Sequence, residues 1–331
     1  MWQVIGQDKI LSLLDYSLRT NSIAHAYLLV GPRHVGKRTF AVNLAQALNC
    51  SDSEPPCGEC LSCQRIREGK HADVSSIGLG SRTEISIDDI RGLQHLANLA
   101  PFEGKYKVFI VEDAEYLSAE AANCLLKILE EPPPNIVWLL LAAEEERLLP
   151  TVISRCQRLD FKPVPLKLVE ELLIRLHEVE AEKAKLLARL CHGCPGWALL
   201  AVADESILEQ RSQRIEKLAS LLTADLEERF GYAQEMANLS SQNRRAAAEI
   251  VQTWLDWWRD LMLIETGCKE AVVNVDYEAV LEEQAGKLGL GEIKAFLANL
   301  GSLQEAVSKN VNSRLVWEWL MLHLPRKRAG V

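Results

Sequence analysis

The sequence lacks any apolar stretch that approaches the length of a membrane-spanning helix. Its first ten residues, MWQVIGQDKI, carry polar and charged side chains where a secretory signal would be apolar. It also lacks an excess of basic residues, because 37 Lys and Arg stand against 46 Asp and Glu and give a formal net charge of −9. We therefore expect a cytoplasmic protein that does not hold nucleic acid by itself through broad neutralisation of phosphates.

Aromatic residues are scarce, at 6% of the 331 residues, but they are unevenly placed. The last third of the chain contains a cluster of tryptophans, namely Trp254, Trp257, Trp258, Trp317 and Trp319. This shift predicts a separate C-terminal domain, and the length suits two or three domains in all. The nine cysteines are not expected to form a disulfide framework in a reducing compartment.

The first part of the chain alternates apolar strands with amphipathic helices, which predicts an α/β domain with a parallel sheet. Strands are expected at 26–30, 106–113 and 136–144. One helix should follow the first strand directly, and another should cover 118–131 and end at three prolines.

Helical patterns follow almost continuously after Phe161. They predict a small helical module that ends near 193–196 and a larger all-α part from about residue 208, with weaker breaks near 266–268, at 289–291 and at Gly301.

The segment GPRHVGKRT (31–39) lies between the first strand and its helix. A phosphate-binding loop reads G-x-x-x-x-G-K-[ST], in which the lysine and backbone N–H groups hold phosphates and the hydroxyl helps to hold Mg²⁺. Gly31, Gly36 and Lys37 are in place, but Arg38 stands where the hydroxyl belongs and Thr39 comes one position late. The context predicts a P-loop fold and leaves open whether ATP or ADP, with Mg²⁺, is bound or hydrolysed.

Two acidic residues end the second strand segment, VFIVED (108–113). A P-loop site commonly has an aspartate beside the metal and then a glutamate that orients water, whereas Glu112 and Asp113 come in the inverted order. Both carboxylates are then displaced from a productive geometry, in which small errors are costly. Two solvated carboxylates at a strand end, one capping a helix, are the structural alternative.

Four cysteines lie close together in CSDSEPPCGECLSC (50–63), and they are Cys50, Cys57, Cys60 and Cys63. Four thiolates without an open position describe a structural zinc site. An iron–sulfur cluster and a thiol redox pair are the alternatives, but nothing nearby resembles a redox fold.

Two shorter motifs also contain side chains that could bind a ligand. CHGCPG contains Cys191 and Cys194, but one isolated pair offers too few ligands, and a helix end closed by Gly193 is the simpler interpretation. SRC (154–156) contains Arg155, which can stabilise a phosphate in a neighbouring subunit or can form a surface salt bridge.

The order of these motifs resembles that of the δ′ family of bacterial clamp-loader AAA+ subunits of DNA polymerase III. The resemblance covers residues 4 to about 204 and rests most specifically on AANCLLKILEEPP (121–133) and SRC. The last third is similar only through NVNSRLVWEWL (310–320).

This resemblance implies a fold of three parts. They are an AAA+ RecA-like P-loop domain (1–161) with an inserted zinc module (about 50–63), a helical lid (162–207) and an all-α collar (208–331). It also implies the partners: τ/γ and δ subunits in a hetero-pentameric ring, and through that ring the sliding clamp and primer–template DNA, without a membrane. Any polymerase activity would belong to the holoenzyme.

The resemblance also implies roles for individual residues. Arg155 would act in trans on ATP bound to the adjacent motor subunit, while Ser154 and Cys156 fix its turn. The four cysteines would hold structural zinc. Gly31, Gly36 and Lys37 would form the nucleotide loop.

Further positions depart from the motor type of subunit. Ala142, Ala143 and Glu144 stand where a polar sensor residue is expected, and Gly196 stands where motor subunits carry an arginine that touches the γ-phosphate. Together with Arg38 and the inverted acids, these changes favour a subunit that does not hydrolyse ATP. An active motor of the τ/γ type, in which Thr39 or a water replaces the missing hydroxyl, is the alternative. A zinc-dependent nucleic-acid-binding protein is a third hypothesis, against which the acidic balance counts.

Overall fold

The computed structural model describes residues 2–308 and 312–325. The last residues assigned to the collar, 326–331, and part of the 310–320 motif therefore lie outside the described residues. The chain divides into two compact units. The first contains residues up to His177 and Cys191–Ala198, and the second contains Glu178–Leu190 and the chain from Leu199 onward. The division into P-loop domain, lid and collar remains a prediction.

The first unit is built on a five-stranded parallel sheet. The strands are β1 (Ala26–Val30), β2 (Val74–Ile77), β3 (Lys107–Val111), β4 (Ile136–Ala142) and β5 (Gln157–Asp160). Their order across the sheet is β2-β3-β4-β1-β5, so the strand before the glycine loop lies between β4 and β5. This arrangement brings the carboxyl ends of β1, β3 and β4 to one edge, where ligands bind in open α/β sheets.

The three central strands were predicted because they are continuous apolar runs, which is typical of parallel strands buried on both faces. The two edge strands were not predicted. β2 (VSSI) is only partly buried, and in β5 (QRLD) only Leu159 is buried, so neither has an apolar run to mark it.

Helices cover both faces of this sheet. Those of the first unit are α1 (Asp8–Arg19), α2 (Lys37–Asn49), α3 (Leu61–Arg67), α4 (Ile87–Ala97), α5 (Ala119–Glu130), α6 (Pro150–Ile153) and α7 (Leu166–His177). Alternate residues of β1 face opposite cores, as the strand period requires. Leu29 packs in one core with Leu44 of α2, and Leu28 packs in the other with Leu125 of α5.

The second unit is helical in its described part. Its helices are α8 (Ala181–Leu190), α10 (Ser206–Leu221), α11 (Leu226–Gln242), α12 (Arg244–Glu265), α13 (Glu278–Ala285), α14 (Leu290–Ser308) and α15 (Ser313–His323), while α9 (Pro195–Ala203) runs from one unit into the other. Trp254, Trp258 and Trp317 fill its core, which accounts for the concentration of tryptophan in the last third.

Gly301 does not interrupt the second unit. The predicted break at this residue is wrong, because Gly301 lies inside α14. A helix tolerates an interior glycine at a cost of about 1 kcal/mol, and α14 buries Ile293, Phe296 and Leu300 before it. Of the described helices, none has the length and apolar character needed to cross a membrane.

Candidate functional site

The glycine loop connects β1 to α2 as predicted. Gly31 has φ +152°, and a Cβ atom there would lie 2.4 Å from the carbonyl oxygen of Phe161. Gly36 has φ +109° and is the N-cap of α2. Both positions therefore require glycine, one because of close backbone approach and the other because of its left-handed conformation.

Lys37 begins α2 and is buried at 9% exposure. Its Nζ atom donates hydrogen bonds to the carbonyl oxygens of Gly31 and Pro32, the latter at 2.8 Å. Burial lowers the pKa of Lys37 to about 8, although the nearby Glu115 carboxylate opposes this. Lys37 is thus bonded to the backbone of the loop, and burial of its positive charge lowers the stability of the fold.

Arg38 pairs with the first acid of the inverted pair. Its Nε atom lies 2.8 Å from Oε1 of Glu112, and the hydroxyl of Ser76 donates to the same oxygen at 3.0 Å. Thr39 is exposed in the first turn of α2. Mg²⁺ in a P-loop needs an oxygen ligand where Arg38 stands. A cation with no lone pair cannot supply one, so the residues present do not fit the metal.

Arg33 pairs with the second acid. Its Nη2 atom lies 3.0 Å from Oδ1 of Asp113 and 3.7 Å from Oε1 of Glu115. Asp113 has φ +53°, and Glu115 follows in a short 3₁₀ turn, Ala114–Tyr116. Glu115 is buried, and burial raises the pKa of its carboxyl group.

The sequence did not single out Arg33, Ser76 or Glu115. For Arg33 and Glu115 the one visible signal is charge, since Arg33 lies within the loop and Glu115 lies two residues after Asp113. Ser76 carries no such signal.

The two positions at which the resemblance leads us to expect sensor residues also lie near the loop. β4 ends at Ala142, and the backbone N–H of Ala143 donates to Oε1 of Glu115 at 3.3 Å. The backbone N–H of Gly196 donates to the carbonyl oxygen of His34 at 2.9 Å. A Cβ atom on Gly196 would lie 2.9 Å from that same oxygen, so no side chain fits there unless the loop moves.

Arg155 lies in the turn between α6 and β5. Its Nη1 atom donates to the carbonyl oxygen of Thr151 at 2.9 Å and lies 3.4 Å from the hydroxyl oxygen of Ser154. Its Nη2 atom lies 2.6 Å from Oε1 of Glu130 at the end of α5. The Arg155 side chain is 34% exposed and that of Glu130 is 50% exposed, so the pair is at the surface of its unit. Burial raises the pKa of the neighbouring Cys156 thiol to about 12, so it stays protonated.

The four predicted cysteines come together. Every pair of their sulfur atoms lies within 4.8 Å, and three pairs are at 3.5, 3.9 and 3.9 Å. A tetrahedral zinc site with Zn–S bonds of about 2.3 Å has its sulfurs about 3.8 Å apart, so the arrangement fits such an ion. Cys50 follows the end of α2, and Cys60 is the N-cap of α3.

Electrostatics at this cluster favour thiolate at one position. Burial raises the pKa of Cys60, but hydrogen bonds from the backbone of Ser51 and Cys63 outweigh it and lower the pKa to about 6. The backbone N–H of Cys63 lies 3.5 Å from the Cys60 sulfur. Because the four sulfur atoms converge, the cluster could hold a metal ion.

The second cysteine pair behaves as a helix end. α8 ends at Leu190, Gly193 has φ +75°, and α9 begins at Pro195. Cys191 and Cys194 are both buried there. Among the described residues only the first cluster gathers enough ligand atoms for a metal.

These features define the class of protein. A parallel sheet in this order, with a glycine loop between β1 and α2 and acidic residues after β3, is an AAA+ P-loop domain, here followed by a helical unit.

Comparison with known proteins shows which subunits this chain is similar to. Residues 6–165 match the family described as "DNA polymerase III, delta subunit". The DNA polymerase III subunit delta′ of Bacillus subtilis is 28% identical over 96% of this chain and 96% of its own length. The chain is similar to the DNA polymerase III delta′ and gamma/tau subunits, and residues 6–165 match the model of the delta-subunit family. The resemblance found in the sequence is confirmed.

The gamma/tau relatives are longer. The Mycobacterium bovis subunit gamma/tau is 28% identical over 97% of this chain and 60% of its own length. The Escherichia coli subunit tau is 30% identical over 86% of this chain and 42% of its own length. The chain thus spans about half the length of these relatives.

Proposed function

We propose that this chain is a clamp-loader subunit that does not hydrolyse ATP and that lends Arg155 to a neighbouring ATPase subunit. Its partners are the τ/γ and δ subunits of a hetero-pentameric ring, which loads the sliding clamp on primer–template DNA during replication. The four cysteines hold structural zinc, which fixes the segment between α2 and α3.

The observation that carries the proposal is the ion pair between Arg38 and Glu112, with Nε and Oε1 2.8 Å apart. ATP hydrolysis at a P-loop needs a metal ion to neutralise the charge that develops on the phosphates. The carboxylate best placed to reach that metal is bonded to a guanidinium instead. Gly196 has no side chain that could contact a γ-phosphate, and its backbone N–H donates to the carbonyl oxygen of His34.

The position of Arg155 supports the second half of the proposal. Arg155 follows the four-residue helix α6, and its partner Glu130 is half exposed. A surface ion pair of this kind contributes about 0–1 kcal/mol. A phosphate presented by a neighbouring subunit can therefore take the guanidinium from Glu130 at small cost, and it can accept two N–H groups at once.

Arg155→Ala in the reconstituted complex tests the proposal. Removal of an arginine that acts in trans costs roughly 10³- to 10⁵-fold in other P-loop systems, so the clamp- and DNA-stimulated ATPase rate should fall by at least two orders of magnitude while assembly is retained. Arg158→Ala is the matched control, because Arg158 is an exposed arginine of β5 paired with Glu145 and Asp160. An ATPase rate that Arg155→Ala leaves unchanged contradicts the proposal.

An active motor of the τ/γ type is the second candidate, since tau of E. coli is 30% identical to this chain. Lys37 and the loop geometry that such a motor needs are present. Hydrolysis by the purified chain alone separates the two candidates.

A further inference from the structure

Two arginines of the loop region pair with the two carboxylates that follow β3. Arg38 pairs with Glu112, and Arg33 pairs with Asp113. Two guanidinium groups bring two unit charges, which equals the charge of one Mg²⁺, to the two carboxylates that follow β3.

The guanidinium of Arg38 also competes with a metal for the same ligand. Oε1 of Glu112 accepts hydrogen bonds from Arg38 and from the hydroxyl of Ser76, at 2.8 and 3.0 Å. A cation that approached this oxygen would have to displace Arg38 and then remain beside its charge. Coulomb repulsion between the two disfavours Mg²⁺ at this position while Arg38 stays paired with Glu112, although solvent around the exposed guanidinium weakens that repulsion.

The parts of the loop that contact phosphate are nevertheless retained. Gly31 and Gly36 keep the backbone conformations that only glycine takes easily, and Lys37 is at the first position of α2. Backbone N–H groups at such a helix start attract phosphate oxygens. Arg38 is adjacent to Lys37 and has a side chain that is 69% exposed, so it can turn toward a bound phosphate without unfolding anything.

From this geometry we infer that the loop takes the polyphosphate of a nucleotide without a divalent cation, with Arg38 in the electrostatic role of Mg²⁺. The inference deepens the proposed function, because a nucleotide held in this way remains as a passive ligand. It concerns binding alone, so its failure and that of the role of Arg155 are seen in different measurements.

The test is a calorimetric titration of the full chain with ADP, with and without Mg²⁺. The arm without Mg²⁺ uses metal-depleted buffer and no chelator, because a chelator would also remove zinc from the cysteine cluster. For the unaltered chain, the dissociation constants of ADP with and without Mg²⁺ should agree within about twofold, since Mg²⁺ has no ligand position to fill. In Arg38→Thr, which restores the G-K-T order, Mg²⁺ should tighten ADP binding tenfold or more.

Arg67→Thr is the matched control. Arg67 is an exposed arginine at the end of α3 that lines the same small cavity as Arg38 and Glu112. Its loss removes a nearby charge but leaves the ion pair intact, so binding should stay independent of Mg²⁺. Circular dichroism checks that both variants are folded, and the titration of the unaltered chain requires no variant at all.

Three outcomes overturn the inference. They are ADP binding by the unaltered chain that Mg²⁺ tightens tenfold or more, no ADP binding under either condition, and an Arg38→Thr variant that responds to Mg²⁺ as the unaltered chain does. Loss of ATPase in the complex with Arg155→Ala is independent of all three.

Discussion

Lys37 should destabilise the fold at neutral pH, and this cost should disappear as the pH rises. Burial lowers the pKa of Lys37 from 10.5 to about 8. Between these two values the unfolded chain binds a proton that the folded chain has released, so stability increases with pH across that window. Below pH 8 the ammonium is charged in both the folded and the unfolded state, so the full cost of burying it applies. The shift of the pKa from 10.5 to about 8 corresponds to about 3 kcal/mol, at about 1.4 kcal/mol for each pKa unit.

Lys37→Met removes the charge and also the hydrogen bonds to Gly31 and Pro32. The lost hydrogen bonds lower stability equally at every pH, whereas relief of the buried charge depends on pH. The stability of the variant relative to the unaltered chain should therefore fall by about 2 kcal/mol between pH 7 and about pH 9.5, because over this range the unaltered chain recovers part of its cost.

Urea unfolding at the two pH values measures this difference. Arg38→Met is the control, because it removes a positive charge from the neighbouring, exposed residue and leaves the buried lysine in place, so its effect on stability should be the same at both pH values. If the difference in unfolding free energy between Lys37→Met and the unaltered chain does not change from pH 7 to 9.5, burial does not lower the pKa of Lys37.

Two further predictions concern the zinc cluster and the loop contact of Gly196. The purified chain should contain one zinc ion, and Cys57→Ser should lose it, as measured by metal analysis. Absence of zinc from the unaltered chain would contradict the assignment. Gly196→Ala should lower stability by about 1–3 kcal/mol, because its Cβ would lie 2.9 Å from the carbonyl oxygen of His34. Gly231→Ala, inside α11 with open space around it, should instead raise stability by about 0.5–1 kcal/mol; equal effects of the two substitutions in thermal unfolding would count against the contact.

The central sheet and the loop could be predicted from the sequence because their signals are local. β1 and β4 are unbroken apolar runs, and the loop is a fixed spacing of Gly31, Gly36 and Lys37. The edge strands could not be predicted in this way, because half of their side chains face solvent.

The pairing of charges around the loop was not predictable because it depends on tertiary distances. The sequence identified Arg38 and Glu112 as departures from a motor, but only the structure brings them to 2.8 Å. Likewise Gly196 was noted as the loss of an arginine. The structure adds a reason, since the backbone lies so close to His34 that a larger residue is excluded.

The most direct test of the claim that this chain does not hydrolyse ATP is a steady-state Mg-ATP hydrolysis assay on the purified chain alone. We expect no phosphate release above the buffer rate, because Arg38 pairs with Glu112, the carboxylate that we propose would otherwise face the metal. Turnover by the unaltered chain that Lys37→Ala abolishes would contradict it.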